Sequence, residues 1–469
     1  MRIALYDPRR GVEPSGALVV ARPAPMKSRS RFGPARWSLL LTLMAVGYLI
    51  ATRSFAYIGI PPAKLFIGEI ALGAFLITRL RPALNLALVD GGNVSAASRF
   101  FQDYRWTLLI FLCAGMGCLC CGLMQSFPPV PALQCFAFNY YSLYLLPAVW
   151  LGVLFPESLP RLIRWLAVAN GVYGIIYIAV LNSVNLTIPG SPDVPVFGPP
   201  NGSAVAILGL LCLSKDQRLG KWTILVLMLD FVVMLGMQVR AEWFAFGLGL
   251  AALAFLHRPS RGAIVGFVGF AALLGGLAFV ADVKVPAPSG RGGEISTRGV
   301  IGRMLATIDP DLAGDFVDNA EDVAGTIDWR KIWWKEIWKS VNDSPDDRVF
   351  FTGHGYGFAL TDLVSYIDAD TGLRTPHNVF YYTLGYAGWT GVVCLALFQG
   401  SLAWGLWRVY RRTRSPLGLI IWLCFFADAF FSNELENPFG AIPFYVLVGL
   451  SLAPNWRLIT TPQFLFSSR

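Results

Sequence analysis

The sequence predicts an all-α polytopic membrane protein of about twelve transmembrane helices with one large extracytoplasmic loop. Three observations carry that reading. Hydrophobic residues make up 55% of the 469-residue chain against 14% charged, a balance that no soluble core requires. Apolar runs long enough to cross a bilayer recur along it. Lys and Arg fall on alternate connections between those runs, as the positive-inside rule demands.

Residues 1–37 form a basic tail with Arg2, Arg9, Arg10, Arg22, Lys27, Arg29, Arg31 and Arg36, and are expected in the cytoplasm. The first apolar run begins only after residue 37 and no small-residue cleavage pattern follows it, so the first helix is expected to anchor the chain. Apolar runs then lie near 38–58, 63–79, 106–125, 133–155, 162–181, 201–213, 222–238, 241–256 and 262–281. These make a block of nine helices over residues 38–281. Three further runs, near 379–407, 416–432 and 438–454, make a second block over 377–455, and residues 456–469 form a cytoplasmic tail. Alternation puts Arg79, Arg81, Arg99, Arg105, Arg161, Arg164, Lys215, Arg218, Lys221, Arg258, Arg261 and Arg408–Arg414 inside. The connections 125–132, 182–200 and 432–438, which hold no Lys or Arg, fall outside. The net charge of +9 is then a topological signal with some attraction to anionic membrane lipid, and nucleic acid is not expected as a partner.

Eight cysteines, Cys113, Cys118, Cys120, Cys121, Cys135, Cys212, Cys394 and Cys424, all fall inside apolar runs, where they cannot staple the loop. Four crowd one run without a His or carboxylate at ligand spacing, so they read as small packing residues rather than a metal site.

The loop, residues 282–376, carries most of the acidic residues and ten of the Lys and Arg, and is expected to fold as a small domain. It opens on a Pro/Gly linker. An acidic stretch over 308–323 follows, where an Asp309-x-Asp311 pair is a solvated face or, with no further ligands in view, a cation contact. Over residues 328–339, Trp329, Trp333 and Ile337 recur at helical spacing and Asp328 can cap the start. That pattern predicts an amphipathic helix lying in the headgroup layer, with Arg330 as the alternative contact to phosphate or sugar. Gly353-His354-Gly355-Tyr356-Gly357 is a tight turn whose glycines permit positive φ or a close ligand approach.

Two positions stand out for chemistry. His377, in Thr375-Pro376-His377-Asn378, sits where the loop re-enters an apolar helix, and the chain has only three histidines. Arg240 lies between two apolar runs with a minimal outer turn, where an arginine is expensive unless it is paired or meets an anion. Glu242 is close enough in sequence to be its partner, and a lipid diphosphate is the other reading. A transporter of lipid-linked sugar would instead use the intramembrane acids Glu69, Asp230 and Asp428. Such proteins usually show two related halves, and no internal repeat is visible.

In order, Arg240 opening a helix, Arg330 before a Trp-rich helix, Gly353-x-Gly355-x-Gly357, and His377-Asn378 leading into Leu384-Gly385-Tyr386-Ala387-Gly388-Trp389-Thr390-Gly391 resemble the O-antigen ligase and polymerase superfamily. The resemblance covers roughly residues 200–450. Val239-Arg240-Ala241 stands where many members have Ser-Arg-Gly. It implies a GT-C-like, metal- and cofactor-independent, inverting glycosyltransferase of a Gram-negative inner membrane. Such an enzyme moves a glycan from an undecaprenyl diphosphate carrier to a glycan or lipid A-core hydroxyl. On that reading Arg240, Arg330, Arg374 and Lys64 offset the leaving diphosphate's charge, and His377 takes the acceptor's proton with Asn378 orienting it. His354 is the second candidate histidine, while His257, beside cytoplasmic Arg258, is a weak one.

Overall fold

The computed structural model describes residues 33–60, 65–85, 96–214, 220–286, 294–308, 320–364 and 375–454. Lys64, Arg374 and the Asp309-x-Asp311 pair lie outside the described residues.

The protein is a helical membrane protein. Each apolar run holds helix: α1 (Pro34–Ala56), α2 (Ile67–Asn85), α3 (Ala96–Met124), α4 (Pro129–Tyr140), α5 (Leu145–Leu154), α6 (Ser158–Ala179), α7 (Ser203–Leu213), α8 (Lys221–Met237), α9 (Arg240–Leu256) and α10 (Arg261–Val280). After the loop come α14 (Val379–Thr413), α15 (Leu417–Asp428) and α16 (Pro438–Leu452). Six stretches among the described residues are long and apolar enough to cross a membrane: Pro34–Ala56, Asp103–Met124, Pro129–Leu154, Ser158–Ala179, Arg258–Val280 and Val379–Thr413. The helix α16 is the buried centre, packed by α1, α5 and α15, with Phe444, Val446 and Leu447 wholly enclosed.

Two runs depart from simple crossings. The run near 133–155 breaks into α4, a 3-10 turn at Tyr141–Tyr144, and α5. Pro147 has no N–H for the carbonyl of residue 143, and the Ser142 hydroxyl donates to the Asn139 carbonyl at 2.6 Å, so the regular ladder is interrupted there. The run at 201–213 is the 11-residue α7, about 16 Å long, which covers roughly half of a 30 Å hydrocarbon core. It is short because the chain before it is extended and tied to α1: Ser54 donates to the Pro195 carbonyl at 2.7 Å, Thr52 to that of Pro199 at 3.0 Å, and the Asn201 N–H to that of Leu49 at 2.8 Å.

The loop is folded. Strands β5 (Lys284–Pro286) and β6 (Glu294–Ser296) form a hairpin, the last of three two-stranded ones after β1–β2 (Gly59–Ile60, Leu65–Phe66) and β3–β4 (Thr187–Ile188, Ser191–Pro195). It leads into α11 (Thr297–Ile308), α12 (Ala320–Asn342) and α13 (Asp347–Thr352). The helix α12 begins well before Asp328, which is therefore not its cap. Its aromatic face does not lie in headgroups either. Trp333, Ile337 and Val341 are fully buried against α14 and the turn Leu360–Leu363, and the Trp333 indole donates to the Leu360 carbonyl at 2.8 Å. Protein burial satisfies both the ring and its N–H, which headgroups would do less well.

Candidate active site

The turn from α8 to α9 is made by Gln238, in the left-handed region at φ 55, with Arg240 as the first helical residue behind it. Gln238 donates through Nε2 to the Glu294 carbonyl at 3.3 Å, which ties the β5–β6 hairpin and the start of α11 to this turn. Glu242 accepts the Ala204 N–H at 3.1 Å, and so caps the buried start of α7. That arrangement brings Arg303 of α11 within electrostatic reach of Arg240.

Arg240 in turn acts on Arg330 of α12, and Arg330 on His377. Burial and the Arg240 charge draw the Arg330 guanidinium below its ordinary pKa. Arg330 is fixed by donating from Nη1 to the Phe431 carbonyl at 3.0 Å and by lying over the Trp329 ring at 5.5 Å. Its Nε is buried with no partner among the described residues. A row of cations with a donor left over is a setting that favours an anion with several oxygens.

His377 ends the row. Its backbone is in the left-handed region at φ 53, a conformation that a non-glycine residue keeps only where its surroundings enforce it. The surroundings are specific. Trp334 donates to the Pro376 carbonyl at 2.8 Å and stacks on Tyr381 at 5.3 Å. Asn378 caps α14 by accepting the Phe380 and Tyr381 N–H groups at 2.9 and 3.3 Å, and donates to the Phe430 carbonyl at 2.8 Å. The Val379 N–H reaches the Ala429 carbonyl at 2.8 Å. The imidazole itself meets the edge of Trp329 at 6.4 Å and has no hydrogen-bonding partner among the described residues. Burial, and then the charge of Arg330, push its pKa down to about 4, so it is neutral and free to accept a proton at neutral pH.

The Asn378 side chain is thus committed to the turn rather than to the His377 ring. His354 lies elsewhere. Its Nε2 is 3.1 Å from the Ser340 hydroxyl and its ring stacks on Phe358 at 4.4 Å; Ser340 is ten residues along α12 from Arg330, about 15 Å of helix. The close approach that the glycine turn allows is to backbone. The His354 and Gly355 N–H groups donate to the Gly385 and Tyr386 carbonyls at 2.9 and 3.0 Å, beside a kink in α14 at Gly388 (φ 58). His257 is held by Ser260 at 2.6 Å.

Among the described residues, then, three of the sequence-derived candidates lie within electrostatic reach in succession, Arg240 of Arg330 and Arg330 of His377. Two features were not singled out from the sequence, Arg303 beside Arg240 and the acid-bearing turn Glu434–Glu436 between α15 and α16. The signal for the second was present, since two carboxylates between adjacent apolar runs are costly without a purpose.

No protein-family model matches this chain, and no curated protein matches it.

Proposed function

We propose that the chain is a membrane glycosyltransferase of the O-antigen ligase and polymerase type, crossing a bacterial inner membrane twelve times with both termini cytoplasmic and residues 282–376 outside. Its donor is an undecaprenyl-diphosphate-linked glycan and its acceptor a hydroxyl of a second glycan or of lipid A core. What supports the reading best is that Arg240 lies within electrostatic reach of Arg330 and Arg330 of His377, although the three come from separate segments of the chain.

The chemistry follows from that row. The acceptor oxygen attacks the anomeric carbon as the bond to the diphosphate oxygen breaks, so the centre inverts. The acceptor's proton passes to the free imidazole of His377. The negative charge that grows on the leaving diphosphate is met by Arg330 and Arg240, and such fixed donors are worth about 2 to 4 kcal/mol each. The depressed basicity of His377 fits this order of events. A diphosphate seated on Arg330 offsets the charge that weakens the imidazole, and the base strengthens when the donor is in place.

The test is transfer by purified protein supplied with lipid-diphosphate oligosaccharide and acceptor, following glycan extension and release of the free carrier diphosphate. His377→Ala should slow turnover by roughly a hundredfold to ten-thousandfold. A wild-type protein that moves the donor between leaflets without transferring its glycan is a transporter instead, and a cytoplasmic reporter signal from a fusion within residues 282–376 removes the mechanism.

A further inference from the structure

Away from the arginines and His377, the first turns of α8 and α10 leave an open groove between them. It has a volume of about 280 Å³ and is lined by Ile224, Leu227 and Met228 of α8 and by Gly266, Phe267 and Phe270 of α10. Leu227 and Phe267 are buried and form its floor, while Ile224 and Phe270 stand exposed at its rims. At Gly266 an added Cβ would meet nothing within 4 Å, so the absence of a side chain there keeps the groove open. On α10 the lining runs from Gly262 to Phe270, about 12 Å of helix. An apolar slot of this kind forfeits dispersion contacts unless something fills it.

One mouth of the groove is cationic. Lys221 is the first residue of α8 and Arg261 the first of α10, and the 3-10 turn Arg258–Ser260 leads directly into α10. Each of these cations is thus within one helical turn, along the chain, of the first lining residues Ile224 and Gly262. All three are exposed. Lys221 lies over the Trp222 ring at 5.7 Å, Arg261 donates from Nε to the Ala254 carbonyl at 2.7 Å, and none of the three is in an ion pair among the described residues. Trp222 is 70% exposed, as indoles are at a membrane–water interface, which sets this mouth at headgroup level.

Hydrocarbon suits the slot and a phosphate suits its mouth, so the matching occupant is an amphiphile with an anionic head. A second copy of the chain matches less well. A symmetric pair in a membrane turns about an axis along the bilayer normal, so this face would meet itself and set the same cations against one another. The lipid-linked donor is placed elsewhere by the proposed function, since its diphosphate sits at Arg240, beyond the far end of the 17-residue α8 and about 25 Å from Lys221.

We propose that the groove between α8 and α10 binds one anionic phospholipid of the cytoplasmic leaflet, with an acyl chain in the slot and the phosphate on Lys221, Arg258 and Arg261. The leaflet rests on the proposed topology, whereas the site rests on the groove and its cations.

The experiment uses the full chain, delipidated in uncharged detergent and titrated with dioleoyl phosphatidylglycerol, dioleoyl phosphatidylcholine or glycerol phosphate, with bound molecules counted by native mass spectrometry. Phosphatidylglycerol should be retained in preference to phosphatidylcholine, and glycerol phosphate, which has the charge without the chains, should not be retained. Replacing one cation by glutamine should weaken phosphatidylglycerol binding about fivefold, and replacing Lys221, Arg258 and Arg261 together about a hundredfold. Gly266→Leu keeps every charge but puts a side chain into the slot, and it should lose the retained lipid. The proposal is overturned by equal retention of the two phospholipids, by equal retention of glycerol phosphate, by wild-type binding in Gly266→Leu, or by a stable dimer that holds no lipid. If the triple variant is lost from the membrane, Arg258→Gln alone takes its place: a weakening of phosphatidylglycerol binding supports the site and unchanged binding overturns it.

Discussion

Arg330→Ala is the most informative single change, because Arg330 touches three parts of the site at once. It donates to the Phe431 carbonyl, lies over Trp329 and holds its charge near His377. On the proposed function, truncation removes one contact to the charge that develops on the leaving diphosphate, about 2 to 4 kcal/mol. At about 1.4 kcal/mol per decade, that is roughly a thirtyfold to thousandfold fall in kcat/KM. The lost tether to Phe431 costs about 1 kcal/mol of stability, which leaves the protein folded. A second effect runs the other way. Burial is the larger cause of the weak basicity of His377 and Arg330 the smaller, so removing the cation lets the imidazole pKa rise from about 4 while burial still holds it below its ordinary value of about 6.5. The assay is a pH–rate profile of kcat/KM on purified protein with limiting donor. The acid limb, set by the free enzyme's base, should move to higher pH in the alanine variant, and Arg330→Lys, which keeps the charge but loses the fork, should leave it nearly in place. An alanine variant with unchanged kcat/KM, or one whose acid limb does not move, refutes the arrangement of Arg330 between donor and base.

Other substitutions probe the rest of the site. Arg240→Ala should abolish transfer in the reconstituted assay and Arg240→Lys retain part of it, since lysine supplies charge without bidentate geometry; normal turnover by the alanine variant makes Arg240 a structural charge only. Gly353→Ala forces a side chain into φ 66 and places its Cβ 2.5 Å from the Tyr386 carbonyl carbon, so the thermal midpoint should fall by the equivalent of about 2 kcal/mol or more. His354→Ala, by contrast, should lower stability through its lost Ser340 and Phe358 contacts while kcat is preserved. Because the His377 pKa is depressed in the folded protein, the unfolded chain binds more protons between about pH 4 and 6.5. Stability is therefore complete above pH 6.5 and is lost as the pH falls towards 4, and His377→Ala should flatten that part of a denaturation series.

The helices were largely legible because a long apolar run has few other solutions in a bilayer, and each of the twelve runs does hold helix. What surrounds a helix is a different matter. The stripe of Trp329, Trp333 and Ile337 announced an amphipathic helix, but a headgroup layer and a protein groove both accept such a face. Only the long-range contact with α14 decided for the groove. The same holds for the site. Arg240, Arg330 and His377 were each conspicuous for local reasons, a charge between apolar runs, a cation in a Trp-rich helix or an imidazole at a helix entry, whereas Arg303 becomes conspicuous only when the hairpin β5–β6 is in place. The glycines of residues 353–357 did announce a close approach, and the backbone of α14 is what comes close to them here.

The shortness of α7 bears on how the chain is made. Eleven residues offer the insertion machinery too little apolar length to be released into lipid alone, yet Ala206, Ile207, Leu208 and Leu211 end up wholly enclosed. Among the described residues, its first turn finds hydrogen-bond partners in Glu242 of α9 and, through Ser203, in Asn170 of α6. Its stable place in the bilayer therefore depends on α6 and α9 supplying those partners, which favours its entry as part of one bundle with them.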